Sequence, residues 1–183
     1  MIATFLIIGL SLRTKKNSMR KERLIIGIDP GLANTGYGIL SFSSNRFRTL
    51  SYGAITTEAN TLHGYRLLHI YDEIISLLKE YRPTEAGIET LYFAKNVTSA
   101  LSVSEARGVV MLALFSEHIV DVGEYTPNTI KKAVTGIAQA TKEQVQEATR
   151  ILLGLEKRPK PNHAADALAA AIAKANIGEI YVQ

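Results

Sequence analysis

The chain lacks cysteine altogether. That absence removes disulfides, a thiolate nucleophile and every cysteine-ligated zinc or iron–sulfur site, and it fits a reducing, cytoplasmic setting. A membrane span is also missing: the nearly all-apolar stretch Met1–Leu12 falls short of the roughly 20 residues a bilayer needs. Nor does this stretch resemble a secretory signal, because its basic residues follow the apolar run instead of preceding it. Met19 stands just before Arg20-Lys21-Glu22-Arg23, so residues 1–18 are expected to reflect a misplaced start, with the working chain beginning at Met19. Repeats, low-complexity segments and a phosphate-binding P-loop lysine motif are absent as well.

What is present is the composition of a folded soluble protein, 46% hydrophobic and 21% charged over 183 residues. That length supports one sizeable core and disfavours two lobes closing on a substrate. The expected organisation is an N-terminal extension over residues 1–23, a single domain over 24–177 and a tail over 178–183.

The net charge of +4 suggests a nucleic-acid partner, but its distribution changes the reading. Six of the 21 basic residues and only one of the 17 acidic ones fall in residues 1–23, which leaves the remainder slightly acidic. Local basicity survives between Glu124 and His163, where Lys131, Lys132, Lys142, Arg150, Lys157, Arg158 and Lys160 outnumber four glutamates. Such a run serves either as a phosphate-facing patch or as a solvated helix face.

Leu24–Ile28 is a short β-branched run closed by Asp29-Pro30-Gly31, the pattern of a buried strand and turn. Tyr37–Phe42 and Phe47–Thr56 predict two more strands, joined through Ser43-Ser44-Asn45. Apolar residues every three or four positions from Leu62 to Tyr81 predict a helix stopped by Pro83. A strand at Ala86–Glu89, a long helix over Val97–His118 and a strand over Ile119–Tyr125 follow. Helices over Pro127–Val134, Thr141–Leu153 and His163 to about Asn176 complete the chain, the second with a capping box from Thr141 to Gln144 and the third capped by Asn162. Turn-linked strands pair antiparallel and helix-linked strands pair parallel. The expected fold is α/β: a mixed five-stranded sheet, three antiparallel strands then two parallel, flanked by helices.

Asp29 and Glu89 each close an apolar strand, and on parallel neighbours both carboxylates reach the carboxyl edge, where open α/β sheets bind ligands. His163 and Asp166, three apart, share one face of the last helix, whose alanine-rich continuation lets it pack close to the sheet. Three carboxylates and an imidazole suit hard divalent ions such as Mg²⁺ or Mn²⁺, and paired ions suit in-line phosphodiester cleavage. Each piece also has a plainer reading: Asp29 shaping a turn, Glu89 pairing with an arginine, and His163 and Asp166 opening a helix.

Gly27-Ile28-Asp29-Pro30-Gly31, Thr35-Gly36-Tyr37-Gly38, Ile88-Glu89, Ala94-Lys95-Asn96, Ala106-Arg107-Gly108 and Ala164-Ala165-Asp166-Ala167-Leu168-Ala169 occur in that order. From about Leu24 to Ala175 the chain resembles the RuvC family, the crossover-junction endodeoxyribonucleases of bacteria. The resemblance implies a ribonuclease H-like fold, a homodimer formed through the Val97–His118 helix, and paired symmetric nicks across a four-way DNA junction. It implies Asp29, Glu89, His163 and Asp166 as catalytic metal ligands for two Mg²⁺ ions, with Mn²⁺ also suited. Many relatives carry aspartate where His163 stands, so this chain loses a negative charge there and gains an imidazole. Lys131 and Lys142 fall near the scissile phosphate, with Lys132 a close competitor, and Arg107 joins the DNA-binding set. Tyr92, with Phe93 beside it, matches an aromatic that stacks on an unpaired junction base. The resemblance also implies hydrolysis leaving a 5′-phosphate and a 3′-hydroxyl, and delivery by the RuvA and RuvB branch-migration complex. Two other readings stay open: a junction-binding module without catalysis, and an actin-like or sugar-kinase-type ATP-binding domain, which shares the Gly27–Thr35 turn.

Overall fold

A computed structural model describes residues 22–90 and 97–177, without the side chains of residues 97–99. At its centre lies β1 (Arg23–Asp29), whose Ile25, Ile26 and Ile28 are fully buried. An unbroken apolar run of this kind belongs to a strand covered on both faces. β2 (Asn34–Ser43) and β3 (Arg46–Thr56) add antiparallel on one side, β4 (Glu85–Glu89) and β5 (Asp121–Tyr125) parallel on the other, giving the order β3-β2-β1-β4-β5. The expected mixed sheet is therefore present. β2 starts three residues earlier than the pattern suggests, because Asn34 and Thr35 pair with Thr56 and Ile55 directly after the turn. Ser44 and Asn45, both at positive φ, form the two-residue hairpin turn between β2 and β3.

Two helical layers cover the sheet. α1 (His63–Tyr81) and α2 (Val97–Ser116) pack over Ile26, Ile28, Ile39 and Ile88. α3 (Pro127–Thr135), α4 (Lys142–Leu152) and α5 (Asn162–Ile177) lie on the opposite face, over Ile25 and Leu40. The buried stripe of α1 is Ile70, Ile74 and Leu78, whereas Leu62, Tyr65 and Leu68 face outward although they extend the same apolar periodicity. α2 ends at Ser116, two residues short of the expected stop, because His118 takes a left-handed conformation; Ile119 then plugs the core and β5 begins only at Asp121. Asn162 is the first helical residue of α5 and not its cap. The Pro161 carbonyl accepts the Ala164 and Ala165 N–H groups, and the Asn162 side chain accepts a hydrogen bond from Gln146 instead.

α5 approaches the sheet unusually closely, and the reason is compositional on both sides. Gly38, Gly27, Gly87 and Gly123 stand in register across β2, β1, β4 and β5. A Cβ at Gly27 would lie 2.0 Å from the Ala167 carbonyl oxygen, and one at Gly87 2.5 Å from that of Ala170. Opposite them α5 presents small residues, Ala167, Ala170 and Ala171 among them, all fully buried. The far end of α5 is pinned by Lys174, 1% exposed, which reaches Asp121 and lies 4.0 Å from Glu85, itself gripped by Arg23. The result is a helix laid across β2, β1 and β4 with its N-terminal turn at the carboxyl edge of the sheet. Among the described residues no helix is long and apolar enough to cross a membrane.

Candidate active site

The turn after β1 is closed by Thr35, whose hydroxyl donates to the Gly31 carbonyl at 2.7 Å. Asp29 is thereby left free of turn duty, and its Oδ2 lies 2.7 Å from His163 Nδ1. The neighbour of Asp29 across β2 is Gly36, where a Cβ would fall 2.0 Å from the His163 carbonyl oxygen. Glycine at this one position is what lets the start of α5 descend onto Asp29. A proton on Nδ1 makes that contact a hydrogen bond and leaves the Nε2 lone pair available as a ligand.

Glu89 follows Ile88, the register partner of Ile28, so it ends β4 beside Asp29. Among the described residues it makes no side-chain hydrogen bond or ion pair, and the arginine nearest in kind, Arg107, is held by Glu124. Burial, together with the charges of Asp29 and Asp166, pushes Glu89 up to about 7, against the weaker pull of Lys142 and Lys131. Burial also raises Asp29, opposed by its hydrogen bond and charge interaction with His163. These mutual effects place the three carboxylates in one electrostatic neighbourhood at the rim of the sheet.

Asp166 stands just past the first turn of α5, facing a cavity of about 220 Å³ that Glu89, Lys131 and Lys142 also line, over a floor of Ile130, Val145 and Ala169. Lys142 Nζ is 2.8 Å from Asp166 Oδ2. Partial burial lowers the Lys142 ammonium, but the bond to Asp166 and the charges of Asp166, Asp29 and Glu89 outweigh this and hold it above its ordinary value. The capping box fixes the turn that carries it: Gln144 N–H donates to the Thr141 hydroxyl at 3.3 Å, and Thr141 N–H to Gln144 Oε1 at 2.8 Å. Lys132 is exposed and does not line this cavity, so the structure separates the two neighbouring lysines in favour of Lys131. Arg107 faces a second cavity, of about 180 Å³, on the other side of Glu89, with Pro30, Thr90 and Ser104. Tyr92, Phe93 and the Ala94-Lys95-Asn96 motif lie outside the described residues.

Among the described residues no three histidine, aspartate or glutamate side chains stand close enough to grip one ion as arranged. One oxygen of Asp29 is engaged by His163 and one of Asp166 by Lys142. The donor chemistry nonetheless fits a hard divalent cation: three carboxylates, one of them driven toward neutrality by burial and by the other two, beside an imidazole. Sequence reasoning brought these four residues to one place. It missed that Lys142 touches Asp166 directly, and that Thr35 and Gly36 shape the site; no local signal marks a contact between residues 24 positions apart.

The family model for crossover junction endodeoxyribonuclease RuvC matches residues 25–174. RuvC of Treponema denticola is 67% identical over 156 residues, covering 85% of this chain and 87% of its own. RuvC of Treponema pallidum is 54% identical over 149 residues, covering 81% and 76%. The solved structure of Thermus thermophilus RuvC in complex with a Holliday junction substrate superposes with a TM-score of 0.81 at 31% identity, covering 85% of this chain and 94% of the other. The ribonuclease H-like expectation holds, and with sequence, fold and edge-clustered carboxylates in agreement, this chain belongs to the RuvC family of crossover junction endodeoxyribonucleases.

Proposed function

We propose that this chain resolves four-way DNA junctions by paired metal-dependent nicks, with Asp29, Glu89, His163 and Asp166 as its catalytic set. The observation that carries the reading is that these four residues, from three distant segments, meet at one rim of the sheet in a chain of this family. Asp29, Glu89, Asp166 and His163 Nε2 would hold divalent cations, two Mg²⁺ by the logic of in-line displacement, with Mn²⁺ also suited. Such ions supply charge neutralisation at the phosphate and an attacking water of lowered pKa. Lys131 and Lys142 draw the phosphodiester into the cavity beside Glu89. The apolar floor of that cavity limits competing water. Hydrolysis breaks the bond from phosphorus to the 3′ oxygen, leaving a 5′-phosphate and a 3′-hydroxyl.

Cleavage of a synthetic four-way junction in Mg²⁺, abolished by EDTA and not matched on a linear duplex of the same sequence, tests the reading. A chain that binds the junction in Mg²⁺ and leaves it intact would instead be the non-catalytic module. The ATP-binding alternative is not favoured, because the match to the crossover junction endodeoxyribonuclease family runs over residues 25–174.

The raised Glu89 carboxyl sets a pH dependence. Below about 7 the protonated, poorly ligating form prevails, and above it the ionised form does. A proton and a divalent cation therefore compete for the same group. Mn²⁺ titration calorimetry is expected to show affinity rising from pH 6 to pH 8 with protons released on binding, and Glu89→Gln is expected to flatten that rise. Equal affinities at the two pH values in the unaltered chain would contradict this assignment of Glu89.

Paired nicks call for two active sites, and α2 supports a homodimer. Leu101, Leu112 and Phe115 are exposed along one stripe of this helix, Leu101 and Leu112 by 61% and 62%, with Gly108 open between them. Burying such a stripe against a second copy removes apolar surface from water. Leu112→Glu is expected to weaken self-association at least about tenfold in sedimentation equilibrium, a change of about 1.4 kcal/mol. Family membership further supports delivery by the RuvA and RuvB branch-migration complex and work on DNA in the cytoplasm.

A further inference from the structure

We propose that Lys142 competes with the divalent cation for Asp166: its ammonium holds the carboxylate that the cation needs and gives it up to an incoming phosphodiester. This rests on Asp166 being a metal ligand of a nuclease. Lys142 Nζ lies 2.8 Å from Asp166 Oδ2, and Asp166 is the better shielded partner, 23% exposed against 51% for the lysine side chain. An ammonium on one carboxylate oxygen repels a second cation arriving at the other. The pair is also easily parted. Half-exposed ion pairs contribute little net stability, and the lysine stem has four rotatable carbons on which to swing.

The swing has a place to go. Lys142 leaves from the first turn of α4, fixed by the Thr141–Gln144 capping box, and lines the cavity it shares with Glu89, Lys131 and Asp166. A phosphodiester entering that cavity meets three carboxylates and is repelled unless cations intervene. Transfer of the ammonium from Asp166 to the phosphate meets this need and frees Asp166 in the same movement. Junction binding and cation binding then favour each other, as any such linkage must do reciprocally. Lys131 lines the same cavity but makes no ion pair with Asp166 among the described residues. It therefore serves as an internal control for charge without contact.

Two measurements on the full chain test the proposal. Mn²⁺ binding without DNA, followed by the electron paramagnetic resonance of free Mn²⁺, is expected to tighten at least about fivefold in Lys142→Ala and less than about twofold in Lys131→Ala. Equal tightening in the two, or none in Lys142→Ala, would overturn the competition. Lys142→Met, which keeps the apolar stem, repeats the test should the alanine variant fold poorly. Junction affinity in EDTA as a function of salt is the second measurement. A lysine that moves to a phosphate contributes about one unit of the logarithmic salt slope, which Lys142→Ala is expected to lose. An unchanged slope would mean that Lys142 stays on Asp166 and would also overturn the proposal. Failure of the unaltered chain to take up Mn²⁺ sinks this inference together with the nuclease reading, whereas normal uptake without tightening in Lys142→Ala sinks this inference alone.

Discussion

Asp29→Asn is expected to bind a four-way junction within about threefold of the unaltered chain and to cut it at least about a thousandfold more slowly. The substitution keeps shape and an acceptor oxygen for His163, so the 2.7 Å contact that seats the start of α5 has a replacement partner. What it removes is an anionic oxygen that the proposed metal site would use. Metal ions in such sites contribute several kcal/mol to transition-state stabilisation, and each 1.36 kcal/mol is a factor of ten in rate. The fold does not suffer. Asp29 is partly buried and carries its charge against the cost of desolvation and the neighbouring Asp166, so neutralising it relieves repulsion within the cluster. Junction affinity is consequently expected to hold or rise slightly as one negative charge leaves the rim of the sheet. Gel-shift titration in EDTA beside single-turnover cleavage in Mg²⁺ measures both. Cleavage within tenfold of the unaltered chain would remove Asp29 from the catalytic set, and binding lost in parallel would point to a structural role.

The parts of this molecule legible in the sequence are those governed by neighbours in the chain. Ser44-Asn45 announces a hairpin, Thr141 and Gln144 a capping box, and Pro83 the end of α1, because each signal acts within a few residues. Where tertiary packing decides, the local signal misleads. Leu62, Tyr65 and Leu68 keep the helical period of α1 yet face outward, since the sheet and α2 cover the face centred on Ile70, Ile74 and Leu78 and leave theirs exposed. Nothing in the local pattern at Glu117-His118 announces that α2 stops there; its left-handed exit lets Ile119 fill the core. The site divides along the same line. Asp29, Glu89, His163 and Asp166 are marked by polar groups placed at the ends of apolar elements, a pattern readable without coordinates. Lys131 and Lys132 carry equal signals, and only the rotation of α3 about its own axis separates the one beside Glu89 from the one in solvent.

Gly27→Ala is expected to destabilise the chain by about 3 kcal/mol or more, a large share of the roughly 5 to 15 kcal/mol that holds a domain together. The added methyl would sit 2.0 Å from the Ala167 carbonyl oxygen and 2.6 Å from the Ala171 nitrogen. Both obstacles are backbone, so no side-chain rotation clears them; either α5 lifts from β1 or the sheet bends. Lifting α5 exposes the alanine face that it buries against β1, β2 and β4, and its N-terminal end carries His163 and Asp166. Stability and site geometry are therefore expected to fail together in Gly27→Ala, unlike in Asp29→Asn, where only chemistry is lost. Gly64→Ala is the control. Gly64 lies in the first turn of α1 with nothing within 4 Å of where a Cβ would sit, so alanine there is expected to be neutral or to stabilise by up to about 1 kcal/mol. Urea denaturation of the three chains, read as midpoint at constant slope, separates these outcomes. A Gly27→Ala chain as stable as Gly64→Ala would show that α5 does not rest on the glycine row, and the reason offered here for the meeting of His163 with Asp29 would have to be replaced.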